Sequence, residues 1–248
     1  MRKESWIPLV GSSLVFYFSP IFSLTLVLFI WLLFPFLRQG LFMCFGVLFF
    51  FCLRRLNVYP ILRRGWASNC KYTILGSLRR VAQIVSYEIR LILLLLCLIW
   101  LRGSYNLHII IKNQSLIYNI FIISYLALIW FITCLAETNR TPYDFSEGES
   151  ELVSGFNTEY IGGGFTLIFL SEYARILFIS VIRVILFFRS KVSLLYFRKI
   201  LIIGYLFIWV RATLPRYRYD KLINLAWKSL LPWVLRFVLF IRAIIFFL

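Results

Sequence analysis

The sequence predicts an all-α, polytopic bundle of transmembrane helices, on three observations. Hydrophobic residues fill 62% of the 248 positions and mean hydropathy is +0.88, which excludes a soluble globular domain. The apolar residues form continuous runs rather than an alternation, which excludes a β-barrel. Most of the charges collect between those runs, as the connections of a multi-pass protein require.

A helix needs roughly 20 apolar residues to cross the hydrocarbon core. Val10–Leu37 is the first such run. Leu41–Leu62 follows, interrupted by Arg54 and Arg55, and Tyr87–Leu101 carries Glu88 and Arg90 near its start. Leu116–Ala136 is unbroken, whereas Gly162–Phe188 contains Glu172, Arg175 and Arg183. Ile200–Val210 and Leu230–Leu248, with their flanks, complete a set of about seven spans. With neither an internal repeat nor a low-complexity linker, the chain reads as one membrane domain, 1–248. Arg2, Lys3 and Glu4 precede a run too long for a signal peptide's apolar core, so no cleaved leader is expected. The abundance of Phe, Ile, Leu, Tyr and Lys suits an AT-rich organellar gene.

Charge orients the bundle. Of 27 basic residues, fifteen fall on one side by loop parity and seven on the other. The richer side is the inner one, matrix or cytoplasmic, and it holds the loops 63–84, 137–161 and 211–229. Topology and anionic headgroups account for the net charge of +17, so nucleic acid is not an expected partner. Cys44, Cys52, Cys70, Cys97 and Cys134 form no CxxC pair, and His108 is the sole histidine. No metal or haem site is therefore expected.

The chain has ten acidic residues, and six fall between Ala136 and Tyr160: Glu137, Asp144, Glu147, Glu149, Glu151 and Glu159. Three readings fit them. As solvated charges or caps, Thr141-Pro142-Tyr143-Asp144 offers Pro at a first helical position, and Ser146-Glu147-Gly148-Glu149 is a capping box. As a cation site, the cluster lacks EF-hand spacing. As a proton-exchanging array, crowded carboxylates in a reduced dielectric cannot all stay ionised, and some then trade protons near neutral pH. Two intramembrane acids favour the third reading. Glu172 lies roughly 15 Å along its helix, and Glu88 about one turn inside its own. Inserting such an acid unpaired costs at least ~2.5 kcal/mol, so each needs a partner or a water-filled cavity. Arg175, three positions on, shares a helix face with Glu172 and is a candidate partner.

Two further blocks are polar. Val210–Asp220, VRATLPRYRYD, alternates Arg and Tyr beside Asp220, as an interfacial anchor or as a cradle for a quinone head or an acidic peripheral subunit. Gly65–Tyr72, GWASNCKY, leads through Gly76–Gln83 and Ser86-Tyr87 to the buried Glu88, and suits the mouth of the same pathway.

These two blocks and the acidic segment AETNRTPYDFSEGESELVSGFNTEY occur in the order of the subunit 1 family of proton-pumping NADH:ubiquinone oxidoreductase, respiratory complex I. The chain resembles that family from its first span to its end. The resemblance implies a tilted eight-helix bundle in the mitochondrial inner membrane, with the acidic loop on the matrix side. It implies the membrane part of a ubiquinone cavity, with a carboxylate pathway that maps onto Glu88, Glu137, Asp144, Glu147, Glu149, Glu151, Glu159 and Glu172. The quinone cavity maps onto Arg79, Arg140, Arg211, Arg216 and Asp220, with Phe165 and Phe169 as aromatic lining. Ubiquinone is then the substrate, and this chain binds no cofactor of its own. NADH, FMN and iron–sulfur clusters belong to partner subunits of the peripheral arm, and small membrane-arm subunits and lipids are further neighbours. The chain matches the family from its second helix onward. The expectation is seven spans, with the first family helix supplied by a separate polypeptide, as a split gene would give, or replaced by another subunit, the split being favoured. Arg80, Arg90 and Arg175 stand where the family has small, polar or apolar residues, and an Arg beside Glu172 would make it a fixed charge. Rival classes are a non-catalytic membrane anchor for the peripheral arm and a subunit of a related hydrogenase or ion transporter. The first predicts eroded acids and the second internal repeats. The sequence shows an intact acidic block and no repeat.

Overall fold

The computed structural model describes residues 13–34, 44–114, 118–144, 160, 162–188 and 194–247. Among these residues every regular element is a helix. The first, α1 (Ser13–Trp31), contains Pro20, whose missing N–H leaves the Phe16 carbonyl without its helical donor. The Ser19 and Tyr160 hydroxyls each lie 3.4 Å from that carbonyl and 2.9 Å from one another, so one donates to the carbonyl and the other to its neighbour, as a bilayer interior requires of a freed backbone group.

The run expected as one span at 41–62 is two helices, α2 (Gly46–Leu56) and α3 (Val58–Ala67), which meet at Asn57. Pro60 cannot donate to the Leu56 carbonyl, so the ladder fails where the two join. The segment 63–84, expected as a loop, is helical except at Ser68–Cys70. Its larger part opens α4 (Lys71–Arg102), 32 residues long. Thr73, Ser77, Arg80 and Gln83 repeat at three to four residues along one buried face of α4, so their polarity marks a packed stripe rather than a loop. Gly103, at φ 67, ends α4 in the left-handed region and donates its N–H to Ile99 O at 2.7 Å.

Short helices α5 (Leu107–Lys112) and α6 (Asn119–Ile122) lead to α7 (Ser124–Glu137). Beyond them run α8 (Gly163–Phe187), α9 (Leu194–Thr213) and α10 (Tyr219–Phe247), whose turn Leu225–Leu230 is π-helical. Four described helices, α1, α4, α8 and α10, are long and apolar enough to cross a membrane, and α7 is a shorter apolar helix. About seven spans were expected; among the described residues the break at Asn57 and the kink at Ile123 shorten two of them, and basic residues interrupt α9.

α1 lies between α3 and α8, α4 packs on α3, α7 and α10, and α9 lies on α8. Tyr87, Leu91, Leu94, Trp130 and Leu186 fill the centre, while Leu194, Phe246 and Phe247 face outward, as lipid contact allows. α3 and α4 approach closely at Gly65, where a Cβ would overlap the Ser77 side chain. Buried amides close one end: Gln114 donates to the carbonyls of Ile185 and Leu186 at 3.0 Å, and Asn119 to Leu186 O at 2.7 Å. The opposite end gathers the start of α4, the close of α7, and the segment between α9 and α10.

Candidate functional site

The site grows from the turn that follows α7. Asn139 takes φ 48, a conformation that asparagine tolerates, and Tyr143 N donates to Arg140 O at 2.8 Å. Two bonds fasten the turn to the segment after α9: Tyr217 N to Pro142 O at 2.9 Å and Thr141 Oγ1 to Arg211 O at 3.1 Å. The Tyr143 and Tyr217 rings lie 5.6 Å apart beside them. Two of the three sequence blocks therefore meet directly. Thr141–Asp144 itself is a turn, and Tyr217 N occupies the Pro142 carbonyl. Asp144 faces Arg216 at 3.9 Å. Glu147, Glu149, Glu151 and Glu159, with the capping box at 146–149, lie outside the described residues.

Three of the described carboxylates sit in the bundle, each against an arginine. Glu172 Oε1 accepts from Arg80 Nη2 at 2.8 Å, and its Oε2 lies 3.8 Å from Arg140 Nη2, with all three side chains under 10% exposed. Glu137 pairs with Arg54, and Glu88 Oε1 lies 3.3 Å from Arg55 Nε. The expected pairing of Glu172 with Arg175 is not formed. Arg175 Nη2 donates to Asn57 Oδ1 at 2.7 Å, because the break between α2 and α3 presents that amide to it. A cavity of about 10 Å³, the space of one water, lies among Arg54, Asn57, Glu137 and Arg175. Arg54 is also within electrostatic reach of Glu88, and Arg175 of Glu172. The buried acids thus form one charged string across α4, α7 and α8.

An apolar cleft of about 490 Å³ opens between α8 and α9 beside this string. Tyr173, Leu177, Leu201 and Ile208 line it, and Arg140 and Arg211 mark its polar end. The Arg140 guanidinium lies 4.7 Å from the centre of the Tyr173 ring. Phe165 and Phe169 continue that aromatic face along α8, with ring separations of 4.4 Å and, to Tyr173, 6.4 Å. Of the expected quinone residues, Arg140 and Arg211 reach the cleft, and the two phenylalanines lead toward it. Arg79 lies over Tyr219, Arg216 faces Asp144, and Asp220 pairs with Arg218 at 3.4 Å on the surface. Tyr173 went unnoticed in the sequence, although Phe165, Phe169 and Tyr173 recur every four residues on one helix face. Asn57 and Asn139 carried no comparable signal, since their roles depend on chain breaks.

Burial of two tyrosines at this end is visible in their acidity. Desolvation pushes the Tyr143 phenol up to about 12, with Tyr87 and Tyr217 adding to the effect. Desolvation also raises Tyr160, against the Ser19 hydrogen bond at 2.9 Å and the charge of Arg64.

A family model described as NADH dehydrogenase matches residues 1–242. NADH-ubiquinone oxidoreductase chain 1 of Aedes aegypti is 52% identical over 96% of this chain and 76% of its own length. Its counterpart in Locusta migratoria is 49% identical over the same shares, and that of Heterololigo bleekeri 44% over 94% and 76%. With an all-helical architecture and a match that runs through nearly every described residue, the chain belongs to the NADH dehydrogenase family.

Proposed function

We infer that this chain is a membrane subunit of NADH:ubiquinone oxidoreductase in the mitochondrial inner membrane. There it shapes part of the ubiquinone site and carries carboxylates that couple quinone reduction to proton translocation. The names of its relatives and the apolar helices support the subunit role. One observation carries the coupling: Arg140 belongs to both halves of the site. Its guanidinium lies 3.8 Å from Glu172 and also closes the polar end of the cleft.

A quinone lying in the cleft would rest its isoprenoid tail on Leu177, Leu201 and Ile208 and turn its head toward Arg140 and Arg211. Iron–sulfur clusters and flavin in partner subunits would supply electrons from NADH. Reduction consumes two electrons and two protons per quinone, and negative charge develops on the head before the protons arrive. Arg140 would shift toward that charge and withdraw part of the cationic field from Glu172. Glu172 then binds a proton, and gives it up when the neutral quinol releases Arg140. Through Arg175, the single-water cavity and Arg54, the same change reaches Glu137 and Glu88. The positive-inside bias supports a matrix-facing polar end.

The test is Glu172→Gln in the assembled enzyme in sealed vesicles. NADH oxidation by ferricyanide, which bypasses the quinone, should stay at the parental rate. Proton translocation per quinone reduced should drop at least about tenfold, the scale of a lost positioned proton donor. Parental pumping would remove Glu172 from the pathway, and parental pumping in Arg140→Leu would remove the link between cleft and string.

A further inference from the structure

Gln83 is fully buried on α4, and its side-chain amide is spent on the turn that bears Arg140. Nε2 donates to Ala136 O at 2.7 Å and to Tyr143 O at 3.0 Å, the two carbonyls that bracket the turn. With the Asn139 amide turned so that its oxygen meets a donor, Gln83 Oε1 accepts from Asn139 at 3.2 Å. That same turn of the amide lets Asn139 accept from Arg80 Nε at 2.8 Å. Both donors and the acceptor of one glutamine are thereby used within the eight residues 136–143.

We propose that Gln83 is the positioning residue of the site: a latch that fixes the 138–143 bend and so aims Arg140 at Glu172. Ala136 O is one of the last carbonyls of α7, left without a helical donor, and Gln83 is the nearer of its two side-chain donors, at 2.7 Å against 3.3 Å for the turned Asn139 amide. Tyr143 O lies across the bend from it. One amide bound to both sets the distance between the two ends of the bend, and Arg140 projects from its middle. The second arm, through Asn139 to Arg80, ties the bend to the other cation on Glu172. Both arginines on that carboxylate are therefore held by one glutamine. Leucine at this position keeps the volume but leaves Tyr143 O without its side-chain donor in a dry interior, and Ala136 O with only the turned Asn139 amide at 3.3 Å.

The proposal rests on the coupling role of Arg140, and the experiment separates the two. Gln83→Leu, Arg140→Leu and the double variant are made in the assembled enzyme, with the amount of full-size complex on a native gel as the measure of assembly and ferricyanide reduction as the control for electron input. Gln83→Leu should lower kcat for quinone reduction about tenfold, the scale of a misplaced group. It should displace the pH profile in the same direction as Arg140→Leu. The double variant should lose no more than the worse single one, since the two act as one unit. Amide hydrogen exchange at 138–143 should speed up in Gln83→Leu. Unchanged exchange there overturns the latch, and so do additive losses. Faster exchange with parental turnover keeps the latch but overturns the coupling role of Arg140. Where leucine prevents assembly, Gln83→Asn keeps both donors on a shorter arm and should show the same exchange increase at reduced size; parental exchange in that variant overturns the latch equally.

Discussion

Arg90 lies inside α4 with 1% of its surface exposed, and its guanidinium donates Nε and Nη2 to the Ser86 carbonyl on its own helix, at 3.2 and 2.6 Å. The Tyr87 ring stacks on it at 3.8 Å, and Nη1 has no hydrogen-bond partner among the described residues. A buried cation without a carboxylate loses more in desolvation than such contacts return, and replacing buried ions by apolar groups commonly stabilises by about 1–4 kcal/mol. Arg90→Leu should therefore raise the thermal midpoint of the assembled enzyme by a few degrees, read by differential scanning fluorimetry. A lower midpoint would show that Ser86 and Tyr87 fully compensate the charge. Tyr143 supplies a pH test of the bend. Its phenol stays protonated to about 12 in the fold, whereas an unfolded tyrosine ionises near its ordinary value of 10.0. The stability it contributes is complete below pH 10 and is lost as pH climbs toward 12, because the unfolded chain then releases a proton that the fold retains. Tyr143→Phe should flatten that alkaline decline in a thermal-midpoint series; an identical slope would mean the phenol is not the group responsible. At this scale the sequence disclosed which acids are buried, since Glu88, Glu137 and Glu172 interrupt or border apolar runs. It did not disclose their partners. Arg175 is visible beside Glu172 because helix spacing is local, while Arg80 stands 92 positions away and meets Glu172 only through the packing of α4 near α8.

Helices α3 and α4 show how an element is legible in kind and not in extent. The stripe Thr73, Ser77, Arg80, Gln83 has helical period, yet its hydroxyls, charge and amide resemble a loop by composition alone. Those polar groups are buried because they face partners: Ser68 Oγ donates to Thr73 Oγ1 at 2.7 Å, and Gly65 sits against Ser77. The division between α2 and α3 likewise depends on where Pro60 falls in the ladder, and it exposes the Asn57 amide that draws Arg175 away from Glu172. Small residues set the approach of helices in lipid, where apolar burial gives little net drive between them. Gly65→Ala adds a methyl against the Ser77 side chain and should destabilise the pair by about 1–3 kcal/mol, as overpacking does. Ser77→Gly in the same chain should recover most of that loss by opening the space. If the double variant is no more stable than Gly65→Ala alone, steric contact at this crossing is not what holds the two helices at their spacing.

The two ends of the molecule differ, and the difference predicts which way it faces. One end carries the turn 138–143, the VRATLPRYRYD segment and the start of α4, with Arg218 Nε and Asp220 paired at the surface. The other end carries Arg102, bound to the Asn119 amide oxygen through Nε at 2.9 Å, and Lys199, which donates to Phe188 O at 3.0 Å. Applied to the basic residues that the sequence assigns to each side, fifteen against seven, the positive-inside rule predicts that the first side faces inward, although Arg54, Arg64, Arg80 and Arg140 lie buried in the bundle rather than in a loop. Carboxylates do not oppose that bias: the described ones inside the bundle are paired with arginine, and acidic residues weigh little in orientation. The exposed lysines provide the measurement. Lys71 and Lys228 lie toward the acidic end and Lys112 at the far end, all three solvent-exposed in the chain. A membrane-impermeant amine reagent applied to vesicles with the outer face outward should modify Lys112 and spare Lys71 and Lys228, as read by peptide mass spectrometry. In inverted vesicles Lys112 should be spared. Neighbouring subunits can shield a lysine from the side on which it lies, but they cannot make it reactive from the opposite side of a sealed membrane. Modification of Lys112 in inverted vesicles alone would therefore reverse the orientation, and would move the polar end of the cleft to the outer face.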